Sequence, residues 1–251
     1  MDIKNFISQY DINQILKLES QDPQFCALSS ARQQIKVLQQ DDKILLANFL
    51  FLVIQNALVS YQLSGRWENR REEFGHNLSN YFKTSQNLNI ETNLAFRTKI
   101  LKNCKNNCRL NKMKLDRIKK TLKFFGTLND YQTLKNFYND MAGLNDFLAQ
   151  MMKQRKDAKT IVFAVKMFGY WSRIVFGNTI TYPFDISIPI DARIIKIYEK
   201  NTWEISSSHR QIKEFFDNLS MTYKIPPLHL DTVLRLKYWN LFIFRNKKWN
   251  I

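Results

Sequence analysis

The chain has 251 residues, and its 38 lysines and arginines outnumber 22 aspartates and glutamates, which gives a formal net charge of +16. It has only 6 glycines and 5 prolines, which argues against an all-β or loop-rich α/β fold, because strands and long loops need turn residues. Hydrophobic residues make up 45% of the chain, enough to bury a core, so a disordered protein is excluded. Composition therefore predicts helices joined by short connections, in one large domain or two small lobes.

The surplus of positive charge favours a polyanion as the partner. Lysine and arginine neutralise phosphates and release counterions, which gives affinity without sequence recognition. A coding bias toward Lys, Asn and Ile would produce the same surplus. Charge alone therefore does not separate a nucleic-acid-binding protein from one that is merely basic.

The 3 cysteines are too few for a disulfide scaffold. Cys104 and Cys108 are spaced like two metal ligands on one helix face, but the histidines are scattered, and zinc or an iron–sulfur cluster would lack its other ligands. We therefore expect ordinary thiols at Cys26, Cys104 and Cys108, and no metal.

The first residues do not resemble a signal peptide. The most apolar stretch, residues 44–61, holds Asn48, Gln55 and Asn56 in its middle, which is typical of a buried core helix and not of a membrane span. We therefore expect a soluble protein of the cytoplasm.

Hydrophobic periodicity predicts a succession of short helices. Asp11 is expected to cap the first of them, and Asp41 and Asp42 to cap the apolar core helix. Pro23 is expected to separate the first two helices, and Gly177 to end a strongly apolar one. The predicted helices cover residues 11–18, 27–40, 43–63, 72–84, 131–138, 144–153, 160–176, 190–200, 208–223 and 228–244.

Residues 97–123 carry eleven basic residues and one acid, Asp116. Their apolar residues recur at roughly helical spacing, which predicts one or two helices with a core face and a strongly basic outer face. That outer face is either a solvated surface or a track for phosphates, and the spacing does not choose between the two.

Two of the predicted helices, 144–153 and 160–176, are joined by a tight basic turn at residues 155–158. This pattern predicts a helix-hairpin-helix, whose turn presents backbone N–H groups and a helix N-terminus to a phosphate. The residues that follow, 179–189, contain two prolines and are expected to be extended.

Lys159 stands at the start of the second hairpin helix. The helix dipole disfavours a cation at this end, which favours the neutral amine, the form that attacks as a nucleophile. Helical geometry places Phe163 and Lys166 on the same face, as an aromatic plate and a donor. In the alternative, Lys159 is an ordinary solvated lysine and Phe163 a core residue.

Asp191 follows Pro189 and Ile190 in an otherwise apolar stretch. Such a carboxylate caps the next helix or, if it is held near a nucleophilic lysine, stabilises positive charge that develops at a sugar C1′. The pattern leaves both roles open.

Two segments, KTIVFAVKM at 159–167 and IPIDAR at 188–193, resemble the archaeal 8-oxoguanine DNA glycosylases, the AGOG branch of the helix-hairpin-helix base-excision glycosylases. Two more, YQLSGR at 61–66 and PLHLD at 227–231, are similar to the same family. The resemblance implies an all-α fold, a two-lobed helical bundle with the active-site cleft between the lobes. It implies one glycosylase unit over residues 1–251, with lobes of about 30–140 and of about 141–251 plus the N-terminal helix, and the hairpin at about 144–177.

The resemblance also implies a base-excision repair enzyme. Such an enzyme is a bifunctional N-glycosylase and AP lyase, which removes 8-oxoguanine through a lysine Schiff base and β-elimination. Lys159 corresponds to the Schiff-base lysine and Asp191 to the catalytic aspartate. The resemblance further implies that the protein is a monomer that binds double-stranded DNA containing 8-oxoguanine. It also implies that the reaction requires neither a metal nor an organic cofactor.

The same resemblance implies the residues of the base pocket. Phe163 corresponds to a residue that lies against the flipped base. Gln33, or equally Gln34, corresponds to a glutamine that reads the base edge. The polar positions around the base correspond to Ser60, Lys166 and Asp231.

Two positions depart from the family pattern, because Arg71 and Arg235 stand where the family usually has tryptophan. Tryptophans occur four residues away, at Trp67 and Trp239, so either an arginine or a shifted tryptophan stacks on the base. Base preference therefore stays open. The alternatives are an endonuclease III-like glycosylase and abasic-site lyase for other lesions, and a non-catalytic, basic DNA-binding helical protein.

Overall fold

The structure, a computed structural model, describes residues 2–38, 43–60, 89–103, 109–205 and 207–239. Within these ranges the protein consists of α-helices and one π-helical turn, without any β-strand, which confirms the predicted all-α class. The helices are α1 (Ile3–Ile7), α2 (Ile12–Ser20), α3 (Pro23–Leu38), α4 (Lys43–Leu58), α5 (Ile90–Asn103), α6 (Asn111–Leu122), α7 (Phe125–Leu128), α8 (Tyr131–Asn139), α9 (Met141–Met152), α10 (Lys159–Phe176), α11 (Ala192–Thr202), α12 (His209–Tyr223) and α13 (Pro227–Val233), and the π-helical turn is Leu234–Tyr238.

Helix starts follow local capping chemistry. Asp11 caps α2 as predicted: its carboxylate accepts the Gln14 N–H at 2.8 Å, and the Gln14 side chain accepts the Asp11 N–H at 2.8 Å. Ser208 and Gln211 form the same capping box at the start of α12. The prediction that α3 begins near residue 27 is wrong. Pro23 is its first residue, a position where a missing N–H costs no helical hydrogen bond.

Three of the described helices end in the left-handed conformation without a glycine. Lys153, Trp203 and Lys224 are the C-caps of α9, α11 and α12, with φ of 52°, 62° and 55°. Gly177, with φ of 71°, ends α10 as predicted. A chain with few glycines thus uses other residues for the same geometry.

Within the described ranges, the core consists of two hydrophobic clusters. The first is built around α4 and α10, where Trp171 stacks on Phe49 with ring centroids 3.9 Å apart, and it also takes side chains from α3 and α6–α9. The second joins α1 and α2 to α11–α13 and the π-helical turn. Although α4 is buried on nearly all sides, none of the described helices is long and apolar enough to cross a membrane. The lobe boundaries stay a prediction.

The predicted helical segment 97–123 contains the end of α5 and all of α6. Its outer face is less basic than expected, because Arg97 and Lys114 are fully buried. Arg97 donates to the Gln55 side chain at 3.1 Å and to the Leu52 carbonyl at 2.5 Å, so it satisfies polar groups of α4 inside the core. The remaining surface, called here the basic surface, has the exposed cations Lys99, Lys102, Arg109, Lys112, Lys119 and Lys123.

Some predictions fall on residues outside the described ranges. Of the predicted thiols, the structure describes one, and Cys26 is free and exposed. The predictions that lie outside are the helix over 72–84, the caps Asp41 and Asp42, the thiols Cys104 and Cys108, and the segment at 61–66.

Candidate active site

The predicted helix-hairpin-helix is formed by α9, a turn and α10. Lys153 ends α9 in the left-handed conformation, and the next N–H, of Gln154, donates to the Ala149 carbonyl at 2.9 Å. The turn then leads into α10, whose N-cap carries no side-chain hydrogen bond. Its backbone N–H groups are thus not capped by the protein's own N-cap side chain, as a phosphate-binding helix start requires.

The cations of the hairpin turn are paired with acids of the hairpin itself. Arg155 contacts Asp157 at 2.6 Å, and Lys156 contacts Asp146 at 2.6 Å. Both cationic side chains remain largely exposed, at 76% and 67%. Exposed pairs of this kind contribute little to stability, so the cations stay accessible to a phosphate.

Lys159 is the first residue of α10, and its side chain is exposed. The next residue, Thr160, accepts a hydrogen bond from Arg117 of α6 at 3.0 Å, and Arg117 also donates to the Leu58 carbonyl at 2.9 Å. Arg117 therefore connects the start of α10 to the end of α4, two residues before Ser60. Sequence reasoning did not single out Arg117, because it is one cation among many in its segment.

The predicted row along α10 runs from the surface into the interior. Lys159 is exposed, Phe163 is half-buried against the first hydrophobic cluster, and Lys166 is only 1% exposed. Spacings of four and three residues place these side chains on one face of the helix. The spacing predicted the face, and the structure adds the depth of each residue.

Lys166 pairs with Asp231 of α13 at 2.5 Å, in a buried ion pair that brings two predicted base-pocket residues together. Burial alone would raise the pKa of the Asp231 carboxyl, but the charges of Lys166, Arg235 and Arg193 together hold that pKa below its ordinary value. The carboxyl is therefore ionised at neutral pH and acts as a hydrogen-bond acceptor.

Asp191 is the N-cap of α11. Its carboxylate accepts the N–H groups of Arg193 at 2.9 Å and Ile194 at 3.1 Å, and it forms an ion pair with the Arg193 side chain. The capping role that the sequence left open is therefore present. Because Arg193 also lowers the pKa of Asp231, this cap and the Lys166–Asp231 pair belong to one electrostatic neighbourhood.

Arg235 lies in the π-helical turn and forms an ion pair with the buried Asp22, which follows α2. Asp22 also accepts the Tyr170 hydroxyl of α10 at 2.9 Å. The guanidinium of Arg235 is thus fixed by an acid from the N-terminal part of the chain. Trp239 follows the turn and packs half-buried against the second hydrophobic cluster.

The structure describes the side chains of only some of the other predicted site residues. Gln33 is exposed on α3, and the position of the Gln34 side chain lies outside the described part. Ser60 is half-buried after α4, and its hydroxyl donates to the Asn56 carbonyl. Trp67 and Arg71 fall on residues that the structure does not describe.

A buried polar cluster behind Lys166 and Asp231 was missed by sequence reasoning. Two of its members continue the row along α10 at the same four- and three-residue spacing, and one lies inside the PLHLD segment, so these had a local signal. Glu19 of α2 and Asp22, which follows this helix, had none. The members are Glu19, Asp22, Tyr170, Arg173, Tyr182, His229 and Thr232.

Comparison with known proteins decides the family. Residues 4–245 match the family model described as AGOG, N-glycosylase/DNA lyase. The chain belongs to the AGOG family. It is accordingly an enzyme of the DNA glycosylase and lyase class, which confirms the predicted class and does not support the alternative of a non-catalytic binding protein.

Individual AGOG relatives agree with this assignment. An N-glycosylase/DNA lyase of Methanococcus maripaludis is 37% identical over 234 residues, covering 93% of this chain and 85% of that protein. One from Thermococcus kodakarensis is 38% identical over 216 residues, covering 86% and 74%. The resemblance seen in four short segments thus extends over most of the chain.

A solved AGOG structure has the same fold. The complex of 8-oxoguanosine with the 8-oxoguanine DNA glycosylase from Pyrobaculum aerophilum matches with a TM-score of 0.70 and 24% identity, over 93% of this chain and 84% of that one. This match confirms the helical glycosylase fold that the sequence motifs implied.

Proposed function

We propose that the chain removes 8-oxoguanine from double-stranded DNA as a bifunctional glycosylase and AP lyase. The observation that carries the proposal is the row along α10, with the exposed amine of Lys159 at the helix start and the buried Lys166–Asp231 pair two turns further in. This row offers a nucleophile near the surface and polar groups at depth for a flipped base. The AGOG protein of the same fold from Pyrobaculum aerophilum is named for the same lesion.

In the proposed reaction Lys159 attacks C1′ of the flipped nucleotide. The glycosidic bond breaks, its electron pair leaves with the base, and the base takes up a proton. The amine then loses a proton and the sugar ring opens, which gives a Schiff base. Loss of a C2′ proton expels the 3′ phosphate and cuts the strand. The reaction requires neither a metal nor an organic cofactor.

Asp191 supplies negative charge near C1′ in this proposal. The carbon becomes positively charged as the base leaves, and a fixed carboxylate stabilises that charge. The N-cap hydrogen bonds from Arg193 and Ile194 hold the carboxylate in one orientation, so it is arranged before the substrate arrives. Structural and catalytic roles therefore coincide in one side chain.

Lesion recognition is assigned to the inner part of the row. Phe163 provides a face for the base, and the ionised Asp231 provides an acceptor. In 8-oxoguanine N7 carries a proton and donates, whereas in guanine N7 only accepts. In guanine the N7 lone pair would face this carboxylate with no proton between them, which is costly, so guanine is rejected. Gln33 and Ser60 complete the proposed polar contacts.

DNA docking is assigned to the hairpin and the basic surface. Lysines and arginines there contact phosphates, which positions the duplex without reading its sequence. We also propose that the protein is a monomer, that it is cytoplasmic, and that it binds the DNA of the nucleoid.

A borohydride trapping experiment tests the proposal. The wild-type protein should form a covalent adduct with a duplex that contains 8-oxoguanine and none with the matched guanine duplex. Lys17→Gln, which removes an exposed lysine of α2, should trap as the wild type does. Absence of an adduct from the wild type, or an adduct that persists in Lys159→Gln, would contradict the proposal.

A second candidate substrate class is favoured by one observation. Arg235 stands where the family pattern has a tryptophan, and its ion pair with Asp22 fixes a guanidinium at this position. A planar guanidinium can stack on an oxidised pyrimidine as well as on a purine, as an endonuclease III-like enzyme would require. Faster release of an oxidised pyrimidine than of 8-oxoguanine would favour this candidate.

A further inference from the structure

Glu19 of α2 is a fully buried carboxylate that contacts two helices of the site. It accepts hydrogen bonds from Arg173 of α10, from His229 of α13 at 2.9 Å and from Thr232 of α13 at 3.2 Å. Burial alone would raise the pKa of the Glu19 carboxyl, but the contacts with His229 and Arg173 bring that pKa down to about 2. A charged group in the interior therefore joins the helix of the proposed nucleophile to the helix of the base pocket.

His229 extends this connection to a third segment. Burial lowers the pKa of His229, so its ring is neutral at physiological pH. Its Nε2 accepts the backbone N–H of Tyr182 at 3.2 Å, which leaves the ring proton on Nδ1 for donation to Glu19. Tyr182 lies in residues 178–190, the connection that leads from α10 to Asp191.

The Tyr182 side chain in turn contacts α10. Its hydroxyl donates to the Lys166 carbonyl at 2.7 Å, and burial raises the pKa of Tyr182 well above its ordinary value, so the hydroxyl keeps this proton. The ring passes directly over Gly169, where an added Cβ would lie 2.5 Å from ring atoms. A glycine is required at this position because the ring approaches so closely.

We infer that Glu19 is a positioning residue of the active site. Through Arg173, Thr232 and the His229–Tyr182 chain it holds in register the three segments that carry the proposed nucleophile, the proposed catalytic aspartate and the base pocket. Glu19 itself touches neither DNA nor the reacting atoms. The inference rests on the proposed function, since it assigns a positioning residue to the same site.

The test compares Glu19→Gln with the wild type in three measurements: base release, affinity for DNA and hydrogen exchange. Glutamine keeps the size of the side chain and removes the charge. We expect the single-turnover rate constant for base release to fall by about 10- to 100-fold, because a small misplacement of reacting groups has effects of this size. Affinity for DNA should stay within about twofold, because the docking surfaces are untouched. Hydrogen exchange of the Tyr182 amide should become faster.

Thr121→Val is the matched control. Thr121 is fully buried and accepts a hydrogen bond from Gln55 at 2.8 Å, so its loss disturbs a buried polar group that does not contact the three segments. All variants are assayed at a temperature where circular dichroism shows them folded. We expect Thr121→Val to keep the wild-type rate constant. A Glu19→Gln rate constant equal to that of Thr121→Val would overturn the inference.

Gly169→Ala tests the same connection without changing Glu19, and it remains informative if Glu19→Gln does not fold. Alanine favours a helix interior over glycine, so helix propensity alone predicts a more stable protein. The added methyl displaces the Tyr182 ring. If catalysis depends on the position of this ring, the rate constant falls as in Glu19→Gln. A wild-type rate constant together with a raised melting temperature would contradict the inference.

The rate constant for base release and the exchange of the Tyr182 amide together separate this inference from the proposed function. If the wild type releases no 8-oxoguanine, the proposed function is wrong, and the exchange of the Tyr182 amide still tests the positioning role. Unchanged exchange of that amide in both Glu19→Gln and Gly169→Ala would overturn the positioning role, whatever the enzyme cleaves.

Discussion

Two lysines on the same face of α10 lie in opposite environments. Lys159 is exposed at the helix start, whereas Lys166, two turns later, is 1% exposed and paired with Asp231. An exposed amine can reach a substrate, while a buried ammonium needs a partner to balance its charge. Spacing therefore selects the face of a helix, and depth then selects the chemistry of each residue.

Removing the outer lysine should affect catalysis alone. In Lys159→Gln we expect base release to slow by about 10³-fold or more, because the nucleophile is gone. The free energy of unfolding should change by less than about 0.5 kcal/mol, because the side chain is exposed. Single-turnover kinetics and urea unfolding measure the two effects. A large loss of stability would show that Lys159 is part of the core and that the two lysines do not differ as described.

Removing the inner lysine should affect stability first. Lys166→Met leaves the Asp231 carboxylate buried without its cation, which costs about 3–5 kcal/mol. The double variant Lys166→Met/Asp231→Leu should regain most of this stability and still fail to select 8-oxoguanine. Urea unfolding of the three proteins measures this. Equal stability of the single and the double variant would show that the ion pair is not the reason for the loss.

Two variants separate the helix-capping role of Asp191 from the effect of its charge on catalysis. Asn is as good an N-cap as Asp, so Asp191→Asn should keep stability nearly unchanged and slow turnover by about 100-fold. Asp191→Ala should lose a further ~1 kcal/mol of stability through the missing cap. Thermal unfolding and base-release rates distinguish the two variants. A wild-type rate in Asp191→Asn would remove the carboxylate from the mechanism.

Acid should destabilise the protein through the cluster around Glu19. The folded protein lowers the pKa of Glu19 to about 2, so this carboxyl contributes stability that is present above its ordinary range near 4.5 and lost as the pH falls toward 2. His229 also has a lowered pKa, so its contribution is lost as the pH falls below about 6.5.

Urea unfolding at several pH values measures this effect. Stability should decrease steadily from neutral to acid pH, and Glu19→Gln should flatten the acid part of the curve. Thr121→Val should shift the curve without flattening it. A wild-type curve that stays level down to about pH 3 would show that the cluster is not ionised as described.

Local features of the site were predictable from the sequence. The row along α10, the cap by Asp191 and the capping box of α2 each depend on residues within a few positions of one another, so spacing and residue type were sufficient. Depth was not predictable in the same way. Arg97 and Lys114 look like surface cations in a basic segment, and only the packing of α5 and α6 against α4 shows that they are buried.

Long-range polar contacts were beyond sequence reasoning. Glu19 meets His229 across 210 positions of the chain, and Asp22 meets Arg235 across 213. Neither acid belongs to a motif, and an acid near the end of a short helix is ordinarily solvated. Only the docking of α2 against α10 and α13 turns these two carboxylates into partners of the site.

The left-handed helix ends have a practical consequence for engineering heat resistance. Lys153, Trp203 and Lys224 adopt a backbone conformation that costs a residue with a side chain about 1–2 kcal/mol. The structure gives none of these three residues a place among the catalytic or base-pocket groups. A thermostable variant for use as a repair reagent is therefore best sought by introducing glycine in place of Trp203 and Lys224, because Lys153 lies in the hairpin that is assigned to DNA docking.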